Sequence, residues 1–94
     1  MNVTSNQAIQ TALAGNWQKA VQLNKSILED NPNDVEALNR MALAYTVLGK
    51  SKSAKNTYQK VLEIDPLNSI ALKNLKKVKN DFAEDSNNGI IIQV

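Results

Sequence analysis

Cysteine and histidine are both absent from this 94-residue chain. Without cysteine there is no disulfide, no thiol nucleophile and no thiolate metal ligand. Without histidine the chain lacks the commonest metal ligand and the usual general base at neutral pH. Glycine is scarce as well, and the three glycines stand far apart, so no glycine-rich loop can cradle a phosphate. The carboxylates show no ligand spacing, and no serine or lysine has a recognisable base beside it. These absences argue against an enzyme and against any cofactor or metal. The longest uninterrupted apolar run, Met41 to Tyr45, falls far short of the ~20 residues that span a bilayer. The start, Met1-Asn2-Val3-Thr4, carries no basic segment and no apolar core, so it is not a secretory signal. The expectation is a soluble, cytoplasmic protein without membrane attachment. Aromatic residues make up only 4% of the chain, so its 43% apolar content must form a core from aliphatic side chains and alanine.

What the chain has is a pattern that repeats. From Val35 to Asn68, the residues Ala37, Leu38, Met41, Ala42, Ala44, Tyr45 and Leu48 recur at helical spacing until Gly49 interrupts them. A second run carries Ala54, Tyr58, Val61, Leu62 and Ile64. It must stop near Asp65, because Pro66 lacks an amide hydrogen and disfavours helix in the residue before it. A shift of 34 residues then lays the chain on itself. Ala8 falls on Ala42, Gly15 on Gly49, Ala20 on Ala54, Leu28 on Leu62, Glu29 on Glu63 and Pro32 on Pro66. The same shift carries Ala37, Leu38 and Met41 onto Ala71, Leu72 and Leu75. Self-similarity at this period marks a stacked repeat protein.

In these residues the chain resembles the tetratricopeptide repeat family, over about Thr4 to Asp81. The family motif has a small residue facing the partner helix, a glycine at the turn, an alanine early in the second helix and a proline closing the unit. Ala42, Gly49, Ala54 and Pro66 supply it in the second unit, with Leu38, Tyr45 and Tyr58 at the large core positions. Ala8, Gly15, Ala20 and Pro32 supply it in the first, with Trp17 at an aromatic-favouring site. The first unit departs where Thr11 and Asn24 replace aromatics and Gln7 replaces an aliphatic residue. The resemblance implies an all-α fold of two helix-turn-helix repeats, about 1–34 and 35–68, plus a C-terminal capping helix at about 69–82, together forming a fragment of a right-handed α-solenoid.

Local signals fill in the boundaries. A first helix from about Thr4 to Ala14 ends at Gly15, and Asn16 caps a second that runs to Asp30. Asp34 or Asn33 caps the third, with Asn33 and Glu36 spaced as in a capping box. Asn68 repeats the role of Asp34 and opens the fifth helix. There the shift places Lys76 and Lys79 where the central unit has Ala42 and Tyr45, leaving Ala71, Leu72, Leu75 and Val78 to cover the preceding repeat. This describes a cap with a polar outer face, with Phe82 near its edge. Beyond it, 83–94 reads as a flexible tail or the start of a following domain: a polar linker, then the β-branched run Ile90-Ile91-Ile92-Gln93-Val94.

The resemblance implies a protein-protein interaction module, a scaffold that takes a peptide or partner helix in its concave groove. Carried over residue by residue, the groove is lined by Ser5, Ile9, Ala12 and Leu13, then Asn39, Leu43, Thr46 and Val47, then Lys73, Lys77 and Asn80. It reads as an apolar strip ending in a basic patch, with Asn39 available to the peptide backbone and Lys73 and Lys77 to an acidic group. The alternative for Ile9, Leu13, Leu43 and Val47 is simple packing between helices. Some family members seize acidic chaperone C-termini with a carboxylate clamp, and the matching positions here, Ser5, Ile9, Arg40, Ile70 and Asn74, do not reproduce it. Nucleic acid is a disfavoured partner, since the lysines of the fifth helix have no aromatics interleaved for base stacking. Self-association through the stack ends or the tail is the remaining alternative.

Overall fold

The computed structural model describes residues 4–78, and every regular element in that span is helical. The elements are α1 (Ser5–Leu13), α2 (Trp17–Asp30), α3 (Val35–Val47), α4 (Ser51–Ile64) and α5 (69–78). They form two antiparallel pairs and a fifth helix, as the repeat predicts. The expectations placed on Lys79, Asn80, Phe82 and the tail 83–94 lie outside the described residues.

Each pair is turned by its glycine. Gly15 and Gly49 adopt φ of +83° and +78°, the left-handed region that an L side chain enters only with strain. Gly49 N–H donates to the Thr46 carbonyl at 3.1 Å and Lys50 N–H to that of Tyr45 at 2.8 Å, and Gly15 and Asn16 do the same to Ala12 and Thr11. These paired bonds are the Schellman closure, which satisfies the last carbonyls of α1 and α3. A Cβ at either glycine would meet nothing within 4 Å, so backbone conformation alone demands glycine there.

Helix starts are held by side chains. Asn16 accepts from Lys19 N–H, Asp34 from Ala37 N–H and Asn68 from Ala71 N–H. The third cap is therefore Asp34, and the Asn33–Glu36 box is not formed. A capping box does exist at α1, where Thr4 Oγ1 accepts from Gln7 N–H and Gln7 Oε1 accepts from Thr4 N–H. Gln7, a departure from the family pattern, thus has a local task. Only Lys50, opening α4, makes no capping bond among these helix starts.

The core is built largely from small residues. Ala8, Ala37, Ala42, Ala44, Ala54 and Ala71 are completely buried, and Leu38, Met41, Tyr58, Val61, Leu75 and Val78 fill the spaces between helices. α3 is central and touches α1, α2 and α4. Leu72 departs from the expected cap pattern: Ala71, Leu75 and Val78 turn inward, but Leu72 is about half exposed.

Two polar links tie the units together. Asn24, where an aromatic was expected, is 1% exposed. Its Nδ2 donates to the Ala20 carbonyl at 2.9 Å, and its Oδ1 accepts from Arg40 Nε at 3.0 Å. Arg40 also reaches Ser5 Oγ on α1 at 3.4 Å and lies 4.0 Å from Glu36. A buried amide thus fixes a half-buried guanidinium across three helices. The second link is Tyr58, 1% exposed on α4, whose hydroxyl is hydrogen-bonded with the side chains of Thr46 on α3 and Asn74 on α5.

Removing one partner of the first link leaves a buried polar group unsatisfied, at a cost of about 1–3 kcal/mol. Asn24→Leu and Arg40→Leu should each lower stability by about that amount, and the double variant should lose clearly less than the sum. Urea unfolding of the four proteins checks this, and additivity would mean the contact carries no coupling. For the second link, burial raises the Tyr58 pKa and the two hydrogen bonds partly offset the rise. The folded state therefore holds this proton more tightly than the unfolded state. Its contribution is complete below about pH 10 and lost as pH climbs through the folded value. Tyr58→Phe should flatten the fall in urea midpoint between neutral and strongly alkaline pH, while costing about 1 kcal/mol at neutrality.

Candidate functional site

α1, α3 and α5 are the first helices of their units, and the residues expected to line a groove lie on them. Ile9 and Leu13 on α1 are 37% and 76% exposed, and Leu43 and Val47 on α3 are 44% and 50% exposed. These four side chains are not absorbed between helices. Their positions follow from the core: with Ala8, Ala42 and Ala44 buried at the contacts, the larger aliphatics on neighbouring positions have no interior to enter. Ser5 is exposed and holds Arg40, while Ala12 and Thr46 are half-buried. Thr46 donates to the Ala42 carbonyl at 2.9 Å. Lys73 and Lys77 on α5 are exposed, one helical turn apart.

Asn39, expected to be available to a peptide backbone, is 7% exposed and its Nδ2 donates to Asn68 Oδ1 at 3.2 Å. Asn68 Oδ1 also accepts from Ala71 N–H, so it is an acceptor and Asn39 must present its NH₂ there. Asn68 Nδ2 in turn donates to Asp65 at 3.1 Å. Asn39 is thus spent on fixing the start of α5 against α3. Its Oδ1 is buried without a partner among the described residues, beside a cleft of about 440 Å³ lined by Val35, Glu36, Arg40, Asn68 and Ile70.

The clamp positions are put to other uses. Arg40 and Ser5 bond to each other, Asn74 bonds to Tyr58, and Ile9 and Ile70 present aliphatic surface. No group of three or more metal-ligating side chains occurs among the described residues, and none of their helices is long and apolar enough to cross a membrane. The site offers aliphatic surface and ammonium groups, which is the chemistry of a binding face.

Sequence reasoning missed the Arg40–Asn24 pair. Asn24 and Arg40 are 16 residues apart, and nothing local signals a partner at that distance. The one available sign was a polar residue at a position whose repeat equivalent, Tyr58, is a core residue.

Comparison with known proteins agrees with this geometry. The chain is 35% identical to mouse sperm-associated antigen 1 over 66 residues, which is 70% of this chain and 7% of that protein. It is 38% identical to human FK506-binding protein-like over 74 residues, 79% of this chain and 21% of that one. The chain therefore spans less than a quarter of the length of these curated relatives. Among solved structures, it superposes on the first TPR of Spaghetti (RPAP3) bound to HSP90 peptide SRMEEVD with a TM-score of 0.81 and 26% identity, covering 84% of this chain and 63% of that one. The family model described as "Tetratricopeptide repeat" matches residues 12–78, more than half of the chain. With the repeat, the turn glycines and the stacked pairs already described, this chain belongs to the tetratricopeptide repeat family.

Proposed function

We propose that this chain is a protein-interaction module whose α1–α3–α5 face holds a peptide segment of a partner protein. The observation that carries the reading is the exposure of Ile9, Leu13, Leu43 and Val47 in a molecule whose helix contacts are made by alanines. Large aliphatics kept in water along one face are a standing source of binding energy, since each buried CH₂ contributes about 0.8 kcal/mol. The related Spaghetti domain holds a peptide, which supports the same class of ligand here.

The residues divide the work. Ile9, Leu13, Leu43 and Val47 take two or three apolar side chains of the segment. Lys73 and Lys77 meet a carboxylate by charge-assisted hydrogen bonds. Ser5 lies at the opposite edge, beside Arg40. Asn39 acts indirectly, by holding α5 and hence its lysines in place against α3. A clamp on a terminal carboxylate is not part of this reading, because its positions here carry Ile9, Ile70 and the committed side chains of Ser5, Arg40 and Asn74. The module supplies docking and no chemistry of its own, as a scaffold within a cytoplasmic assembly.

Peptide selection against the folded chain, followed by titration of a selected peptide, tests this. Leu43→Ser with Val47→Ser should weaken binding by about tenfold or more, a loss of about 1.4 kcal/mol. Lys73→Glu with Lys77→Glu should weaken an acidic peptide further and reduce its salt dependence. Affinity indifferent to the aliphatic pair would overturn the binding face, and indifference to the lysine pair alone would remove the electrostatic part.

A further inference from the structure

α3 has a second side, on which Leu38 and Met41 are buried and Tyr45 and Leu48 half-buried. Leu38, Met41, Tyr45 and Leu48 form one stripe on it, and helical periodicity sets that stripe nearly opposite Asn39, Leu43 and Val47. α2 and α4 both pack on α3 and their backbones stay apart, so the stripe becomes the floor of a furrow between them. Three adjoining hollows of about 350, 530 and 280 Å³ run along it, the middle one sharing Lys25 with the first and Met41 with the third.

The furrow is chemically asymmetric. Toward the glycine turns it is walled by Gln18, Lys25, Lys50 and Ser53 over Tyr45 and Leu48. Toward the proline turns it is lined by Leu28, Leu38 and Met41, with Lys60 on the rim. Lys25, Lys50 and Lys60 have no carboxylate partner among the described residues, and Glu29 is the single acidic residue in the lining. The described carboxylates gather instead around the proline turns, at Glu29, Asp30, Asp34, Glu36, Glu63 and Asp65.

We propose that this furrow is a second docking surface, for a partner segment with carboxylates at one end and apolar side chains at the other. Charge complementarity names the occupant. The ammonium groups of Lys25 and Lys50 attract the acidic end, while the half-buried Leu28, above the buried Leu38 and Met41, accepts the apolar end. The gradient also fixes orientation, because a reversed segment would set its acidic end against Leu28 and Glu29 and its apolar end against hydrated lysines. The module would then hold two partners at once, one on each side of α3.

The test uses the whole chain and a short synthetic peptide with glutamates at one end and leucine and phenylalanine at the other, alongside the same composition in reverse order. Amide NMR shifts should move at Gln22, Lys25, Tyr45 and Ser53, and the peptide in one order should bind at least about tenfold more tightly than the other. Lys25→Glu with Lys50→Glu should weaken binding, read from the shifts at Gln22, Tyr45 and Ser53, about tenfold or more, equivalent to about 1.4 kcal/mol. Both lysines are exposed, so the variant should keep the fold, as its helical circular dichroism checks. Shifts confined to Leu43, Val47 and Lys73, equal affinity for both orders, insensitivity to the Lys25 and Lys50 changes, or no binding up to about 1 mM would each overturn the furrow. Binding to the α1–α3–α5 face is read separately, at Leu43, Val47 and Lys73, so failure there and failure of the furrow are distinguishable.

Discussion

Helices in this molecule meet at alanines, and much else follows from that contact. A methyl group leaves little between two backbones, so Ala8, Ala42, Ala20, Ala54, Ala37 and Ala71 set how closely each helix lies on the next. Close approach leaves no interior for large side chains at neighbouring positions. Some of those side chains are pushed to the outer edge, where Ile9, Leu13, Leu43 and Val47 supply the apolar material of the α1–α3–α5 face. The same residues that make the stack compact therefore also make it adhesive. With few aromatics, the space between helices is closed by Tyr58, Val61 and Met41, and by the Asn24–Arg40 link where a larger apolar side chain would otherwise stand.

The polar links join positions far apart in sequence. Asn24 reaches α3 through Arg40, Arg40 reaches α1 through Ser5, and Asn39 reaches the start of α5 through Asn68. Tyr58 spans α3 and α5 from α4. A repeat stack has only nearest-neighbour contacts to align its units. Directional bonds between neighbours hold the register that alanine packing alone leaves free to slide. Arg40 and Asn39 in particular stand between the binding face and the core, so the geometry of Lys73 and Lys77 depends on contacts that no ligand touches.

Legibility in the sequence followed the range of the physics. The glycine turns, the proline stops and the caps at Asn16, Asp34 and Asn68 are set by residues within a few positions, and they read directly. The Thr4–Gln7 box is equally local, but the repeat pattern asks for an aliphatic at Gln7 and so hides its capping role. Asn33 was paired with Glu36 by spacing, although Asp34 was one position nearer the helix and had the same oxygen to offer. The role of Asn39 was not readable, since its partner lies 29 residues away and the bond exists only once α5 is in place. Exposure of Ile9, Leu13, Leu43 and Val47 was left open for the same reason: helical spacing tells which residues share a face, and only the packed neighbours tell whether anything covers it.

Lys50 stands 34 residues after Asn16, at the same point of the next repeat, yet it gives α4 no side-chain bond. A lysine there sets positive charge against the positive end of the helix dipole, and an asparagine, aspartate or serine would hold the helix start better by about 1 kcal/mol. The first repeat shows that the backbone accepts such a residue. A chain that keeps an ammonium group where its own fold would prefer an oxygen has given up one cap. That helix start borders the furrow, so the side chain that leaves α4 uncapped sets its ammonium group on the furrow's polar wall instead.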